Sequence, residues 1–277
     1  FPIRKKSFFQ RKQLFVQANT DISLDIYEGE TFGLVGESGC GKSTLGRVIL
    51  QLYPQTGGNT LYYGRTLEEF KPKYMKRTIA QLPRTVTQYN QLSEEAKLGA
   101  RAKGLVARYA DTVRIAGGLV LADDLAEASR VLMAEYEAGV VHFPLAQQLY
   151  DLVLNRGILT DLAEKCVSDI ETNYDKQIED LSSRVAKAKV VLDEKRATLA
   201  SLRAKYASRP GFEALDKLQD EGINLDKLTG EEQRILRREL QVIFQDPYSS
   251  LNPRLTVGQV ISEDRKSTRL NSSHGII

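Results

Sequence analysis

The nine residues from Gly36 to Thr44 read GESGCGKST, and they constrain the fold more than any other part of this 277-residue chain. A short apolar run, Thr31–Val35, precedes them, and a stretch compatible with a helix follows to about Leu52. An apolar run of this length predicts a buried strand. The sequence therefore predicts a strand, a glycine-rich turn and a helix in succession, which is the local arrangement of a phosphate-binding loop.

The spacing Gly-x4-Gly-Lys-Ser brings together the groups that bind a nucleotide phosphate. Glycines let the backbone turn so that several N–H groups point at phosphate oxygens, and the following helix adds partial positive charge. Lys42 would reach the β- and γ-phosphates, and the Ser43 hydroxyl suits Mg²⁺. A chance glycine-rich turn is the alternative, but the flanking elements favour ATP or GTP binding. The predicted binding residues are Gly36, Glu37, Ser38, Gly39, Cys40, Gly41, Lys42, Ser43 and Thr44.

A second segment, Leu240–Arg254, reads LQVIFQDPYSSLNPR. Together with GLVGESGCGKSTLGRVIL around the glycine loop, it resembles the corresponding motifs of the ATP-binding subunits of ABC transporters. The sequence FQDPYSSLNPR within it is typical of the oligopeptide and dipeptide importer branch. The resemblance covers residues 1–66 and about 237–263. It implies an α/β fold, the P-loop NTPase core of an ABC ATPase, which is incomplete in this sequence.

The resemblance also implies roles for residues outside the glycine loop. Gln245 would contact both the Mg²⁺ and the attacking water, so that the metal would be held by Ser43 and Gln245. An aromatic residue near the N-terminus would stack on adenine; the alignment register points to Phe1, while Phe8 and Phe9 are the alternatives.

By the same resemblance, the full-length protein would be an ATPase that powers import of oligopeptides or dipeptides across the bacterial inner membrane. It would lie peripherally on the cytoplasmic face and use ATP and Mg²⁺. Its partners would be transmembrane permease subunits, a second identical or homologous ATP-binding subunit and, indirectly, a substrate-binding protein. The alternative is a chromosome-maintenance or DNA-repair ATPase of the same superfamily with a coiled-coil arm, although such arms follow the Q-loop rather than precede it.

Several motifs of the family do not occur in this sequence. There is no LSGGQ-like signature and no Walker B strand ending in Asp-Glu, and neither His142 nor His274 stands where a switch histidine would. We therefore expect an N-terminal fragment that does not hydrolyse ATP by itself.

Residues 67–236 predict a helical insertion between the two halves of the ATPase core. Apolar residues alternate at spacings of four and three along its second half, with one polar break, as in the seam of a coiled coil. We predict a coiled-coil hairpin or small bundle that packs against itself; docking of a partner helix is the alternative. The seam comprises Ile178, Leu181, Val185, Ala188, Leu192, Lys195, Leu199, Leu202 and Tyr206.

The C-terminal stretch Asp264–His274 reads DRKSTRLNSSH. Translated back with ordinary codons, it resembles a common sequencing-library adapter; a disordered basic tail is the alternative. We therefore interpret residues 264–277 as an artefact tail and residues 237–263 as the Q-loop segment. The stretch accounts for a net charge of +2 of the chain's formal +3. The remaining charge gives no support to nucleic-acid binding.

Local patterns predict further elements. Residues 22–26 and 240–244 predict strands, and residues 60–63 predict another. Thr229 and Glu232 form a predicted capping box, and Gly117-Gly118 predicts a helix break. His142 is expected to be a surface or packing residue, and Cys166 a small apolar one.

Overall fold

The computed structural model describes residues 18–162, 167–237, 239–243, 255–256 and 258–259. Over these residues the chain is rich in helix and contains a two-stranded sheet. The chain divides into two compact units, Phe1–Tyr53 with Ile235–Ile277, and Pro54–Arg234. None of the helices in the described ranges has a stretch long and apolar enough to cross a lipid bilayer.

The helices and strands follow one another in a simple order. In the first unit, helix α1 spans Lys42–Ile49. The other elements, in chain order, are β1 (Leu61–Thr66), α2 (Leu67–Phe70), α3 (Lys73–Asn90), α4 (Glu94–Leu98), α5 (Lys103–Ala116), a 3-10 turn (Gly117–Leu121), α6 (Leu125–Leu162), α7 (Val167–Tyr206), α8 (Phe212–Asp216), β2 (Gly222–Asn224), a second 3-10 turn (Leu225–Lys227) and α9 (Gly230–Leu236).

The sheet joins the two ends of the long helical segment. Strands β1 and β2 pair antiparallel, with Leu61 opposite Asn224 and Tyr62 opposite Ile223. The register then shifts before Thr66, which lies opposite Gly222. Because β1 begins the segment and β2 closes it, the chain returns beside its starting point when Asn224 comes to lie opposite Leu61.

A bend at Gly117-Gly118 turns the chain between two helices, as predicted. Helix α5 ends at Ala116, and Gly117 has a positive φ of 57°, which favours glycine. The Gly118 N–H donates to the Asp216 carboxylate at 3.1 Å. A Cβ atom on Gly118 would lie 2.5 Å from the Phe212 ring, so only glycine fits this contact.

The two longest helices form an antiparallel pair. Helix α6 has 38 residues and α7 has 40. Ion pairs link the start of α6 to the end of α7, and the later part of α6 to the start of α7. These pairs join Glu127 to Lys205 at 3.7 Å, Glu135 to Arg196 at 3.9 Å, and Arg156 to Asp175 at 2.8 Å.

The face of α7 that the heptad spacing singles out is its least exposed face. All nine positions of the predicted seam are buried or half-buried, including the polar Lys195. Leu192 is 2% exposed and Leu202 is 6% exposed. Their burial against α6 removes apolar side chains from water, which stabilises the pair by about 1.5–3 kcal/mol for each fully buried leucine.

A buried ion pair connects α6 to the turn before α3. The Lys71 ammonium donates to both carboxylate oxygens of Glu135, at 3.0 and 3.2 Å, and both side chains are largely buried. The Tyr136 hydroxyl donates to the Lys71 carbonyl at 3.2 Å. A Cβ atom on Gly139 would lie 2.5 Å from Lys71 Cε, so the lysine packs where α6 has no side chain.

Three predicted strands do not form in the described residues. Residues 22–26 and 31–35 are irregular and mostly exposed, with Val35 90% exposed. Residues 240–243 are likewise irregular, and Phe244 lies outside the described residues. A strand is stabilised by hydrogen bonds to a neighbouring strand, and no described segment pairs with these residues. The prediction of strands at these positions is therefore wrong for the described residues.

The capping box at the start of α9 is confirmed. The Thr229 N–H donates to Glu232 Oε2 at 2.8 Å, and the Glu232 N–H donates to Thr229 Oγ1 at 3.4 Å. Glu232 Oε1 also accepts from the Lys73 N–H at 2.7 Å. The same carboxylate therefore satisfies backbone donors at the starts of two helices.

Replacing Thr229 with alanine should lower the free energy of unfolding by about 1 kcal/mol, because the hydroxyl is a helix cap. Urea unfolding followed by circular dichroism would measure the change. Thr229→Ser keeps the hydroxyl and should lose less than half of that amount. Equal losses for the two variants would show that the methyl group, rather than the cap, stabilises this turn.

His142 and Cys166 are the two remaining residues for which the sequence predicts a role. His142 is half-buried, its Nδ1 atom has no hydrogen-bond partner in the described part of the chain, and its ring meets Phe143 edge to face at 5.1 Å. Burial, with a smaller contribution from Arg196, lowers the pKa of His142. These contacts agree with a packing role. Cys166 lies outside the described residues.

Candidate functional site

The glycine loop adopts a conformation that depends on its glycines. Gly39 has a φ of 82° and Gly41 a φ of 98°, in the left-handed region that residues with a Cβ atom rarely adopt. Gly41 directly precedes α1, and its carbonyl accepts the first hydrogen bond of that helix, from the Leu45 N–H at 2.9 Å. The loop therefore leads into the helix so that the backbone N–H groups of the first helical turn remain available for an anion.

Lys42 extends along the loop rather than away from it. Its ammonium donates to the Gly36 carbonyl at 2.7 Å and to the Glu37 carbonyl at 2.5 Å. The Cys40 sulfur lies 3.5 Å from the same nitrogen. The ammonium group is thus held against the backbone of the loop, where it would meet the phosphates of a bound nucleotide.

The neighbouring residues fit a magnesium nucleotide. Ser43 is exposed in the first turn of α1, beside Lys42, so its hydroxyl is available to a metal ion. No cluster of His, Cys, Asp and Glu suited to a metal occurs in the described ranges. Among the described residues, Ser43 would offer its hydroxyl oxygen to a magnesium ion, which suits the preference of that ion for oxygen ligands. When bound, the ion would neutralise charge on the phosphates.

The structure brings together the nine predicted loop residues but does not describe the other predicted site residues. Gly36 to Gly41 form an irregular segment that includes a turn at residues 38–39, and Lys42 to Thr44 begin α1. Phe1, predicted to stack on adenine, and Gln245, predicted to contact magnesium and water, both lie outside the described residues. Their roles stay predictions.

Two residues near the loop were missed by the sequence reasoning. The side-chain amide of Asn19 donates to the Gly41 carbonyl at 3.4 Å. A Cβ atom on Gly41 would lie only 2.6 Å from the Ala18 carbonyl oxygen. These contacts join Gly41 to residues more than 20 positions away, so no local pattern in the sequence signals them.

Residues 19–148 match the model of the ABC transporter family, which is just under half of the chain. Similar proteins include the dipeptide transport ATP-binding protein of Lactococcus lactis subsp. cremoris, 44% identical over 108 residues, or 38% of this chain and 32% of that protein. The predicted resemblance to ABC transporter ATP-binding subunits is confirmed. The family match continues past residue 66 into the segment predicted as an insertion.

Two further relatives are oligopeptide transport ATP-binding proteins. The oligopeptide transport ATP-binding protein of Bacillus subtilis is 50% identical over 68 residues, or 24% of this chain and 22% of that protein. Its namesake in Haemophilus influenzae is 45% identical over 73 residues, or 26% and 22%. The chain thus spans between about a fifth and a third of the length of these relatives. No solved structure matches the chain significantly.

Replacing Gly41 with alanine should weaken MgADP binding by about tenfold. The alanine would have to adopt a left-handed φ, at a cost of about 1–2 kcal/mol, and its Cβ atom would meet Ala18. Gly46→Ala, within the adjoining helix α1, is the matched control, because nothing lies within 4 Å of a Cβ atom there. Titration with a fluorescent MgADP would compare them. Equal affinities for the two variants would contradict the requirement for glycine at position 41.

Proposed function

We propose that this chain is part of the ATP-binding and ATP-hydrolysing subunit of a bacterial importer of oligopeptides or dipeptides. The observation that carries the proposal is the Gly36–Thr44 loop, with the Lys42 ammonium held against its backbone at the start of α1. The chain that surrounds this loop is similar to relatives whose names specify dipeptide or oligopeptide transport.

The proposal assigns ATP and Mg²⁺ to this loop. Lys42 would bind the β- and γ-phosphates, the backbone N–H groups of the loop and α1 would bind phosphate oxygens, and Ser43 would bind the metal ion. Gln245 would contact the metal and the attacking water, and Phe1 would stack on the adenine. Phosphoryl transfer depends mainly on such positioning and charge stabilisation.

The proposal also covers the architecture. An α/β core of the ABC ATPase type would consist of residues 1–66 and 237–263, and residues 67–236 would form an inserted coiled-coil hairpin. The antiparallel pair α6 and α7 supports the hairpin, and the pairing of β1 with β2 supports an insertion, because it closes the segment on itself.

In the assembled transporter, the subunit would lie on the cytoplasmic face of the inner membrane. It would bind transmembrane permease subunits and a second ATP-binding subunit, and a substrate-binding protein would deliver peptides to the permeases. Nucleotide-driven closure of the two ATP-binding subunits would move the permeases.

Reconstitution of the full-length protein with its permeases in lipid vesicles would test the proposal. We expect ATP hydrolysis that rises when peptide-loaded binding protein is added and that is lost in a Lys42→Ala variant. Hydrolysis that is stimulated by DNA, and that is indifferent to permeases and peptide, would contradict an import function.

A further inference from the structure

Asn19 contacts the glycine loop at Gly41, the last residue before α1. Its side-chain nitrogen lies 3.4 Å from the Gly41 carbonyl oxygen, and 2.9 Å from where a Cβ atom of Gly41 would be. Asn19 is half-buried beside the loop. The Ala18 carbonyl oxygen lies 2.6 Å from the same Cβ position of Gly41. The backbone before the loop is therefore packed directly against the last residue before α1.

The Gly41 carbonyl that Asn19 holds also begins the helix. It accepts from the Leu45 N–H at 2.9 Å, so one oxygen receives both the first helical hydrogen bond and the Asn19 amide. The peptide unit that contains this carbonyl also contains the Lys42 N–H. A rotation of that peptide plane would change both the direction of the N–H and the start of the helix.

We propose that Asn19 is a positioning residue for the phosphate loop, whose side-chain amide holds the Gly41 carbonyl and thereby sets the direction of the Lys42 N–H. The inference rests on the proposed nucleotide site. Asn19 would not contact the phosphates directly, because its effect on their binding passes through the position of Gly41.

The chemistry of Asn19 makes this role specific. An amide nitrogen can donate to a carbonyl, whereas a carboxylate of the same shape can only accept and would repel it. The Oδ1 atom of Asn19 is buried and has no hydrogen-bond partner in the described part of the chain. The contact with Gly41 is therefore the hydrogen bond that orients this side chain, and an aspartate would lose it.

Titration of the 277-residue chain with fluorescently labelled MgADP would test the role of Asn19. Asn19→Ala should raise the Kd about three- to tenfold, which corresponds to the loss of one net hydrogen bond. Asn19→Asp keeps the shape and should raise the Kd by at least as much. Thr20→Ala changes the exposed neighbour and should leave the Kd unchanged. The urea midpoint of each variant would be measured in parallel.

A double-mutant cycle separates positioning from a general loss of structure. If Asn19 acts through Gly41, the effects of Asn19→Ala and Gly41→Ala on the Kd should be less than additive. Fully additive effects, or an Asn19→Asp variant that binds like the wild type, would overturn the positioning role while leaving the nucleotide site intact. A wild-type chain that fails to bind MgADP would overturn the proposed site and the role of Asn19 with it.

Discussion

Replacement of Lys42 by alanine should weaken MgATP binding by roughly 100-fold. The ammonium lies within the loop, on the Gly36 and Glu37 carbonyls, where it would bind two phosphate groups. Hydrogen bonds to charged groups contribute about 1.5–3 kcal/mol each, so the loss of two of them accounts for a change of this size. Isothermal titration of the chain with MgATP would measure it.

The control for this variant is a lysine of the other unit. Lys76 pairs with Glu137 at 3.1 Å on an exposed surface, so Lys76→Ala removes the same charge from the other unit. It should leave MgATP affinity unchanged. A Lys42→Ala variant whose affinity equals that of Lys76→Ala would show that the loop does not bind the phosphates.

Replacement of Glu135 by alanine should lower the free energy of unfolding by about 3–5 kcal/mol, because it leaves the Lys71 ammonium buried without its partner. The Lys71 side chain is only 4% exposed, so water cannot replace the lost carboxylate. Urea unfolding followed by circular dichroism would measure the loss.

A neighbouring glutamate provides the comparison for this second variant. Glu137 lies two positions further along α6 and makes an exposed pair with Lys76, so Glu137→Ala should cost less than about 1 kcal/mol. The double variant Lys71→Met with Glu135→Leu should recover most of the stability, since it removes both charges. Similar losses for Glu135→Ala and Glu137→Ala would contradict the importance of burial.

Features that depend on neighbours in the sequence could be predicted. The glycine loop and α1, the Thr229 cap and the break at Gly117-Gly118 each depend on residues within a few positions of one another. The seam of α7 was also predictable, because heptad spacing records which side of a helix is buried.

Features that depend on distant contacts could not be predicted. The strand-like pattern of residues 31–35 does not reveal that no described segment pairs with it. The burial of Lys71 depends on Glu135, 64 residues away, and on the absence of a side chain at Gly139. Asn19 reaches Gly41 across 22 residues through a single hydrogen bond. In each case the outcome depends on contacts between residues that are far apart in the sequence.

The central claim is that the Gly36–Thr44 loop binds the phosphates of a magnesium nucleotide. The most direct measurement is a titration of the chain with ATP, ADP and AMP in the presence of Mg²⁺. Because a loop of this kind binds the β-phosphate, ATP and ADP should bind with similar affinities and AMP at least about 100-fold more weakly. Binding of AMP as tight as that of ATP, or no binding of any of the three, would contradict the claim.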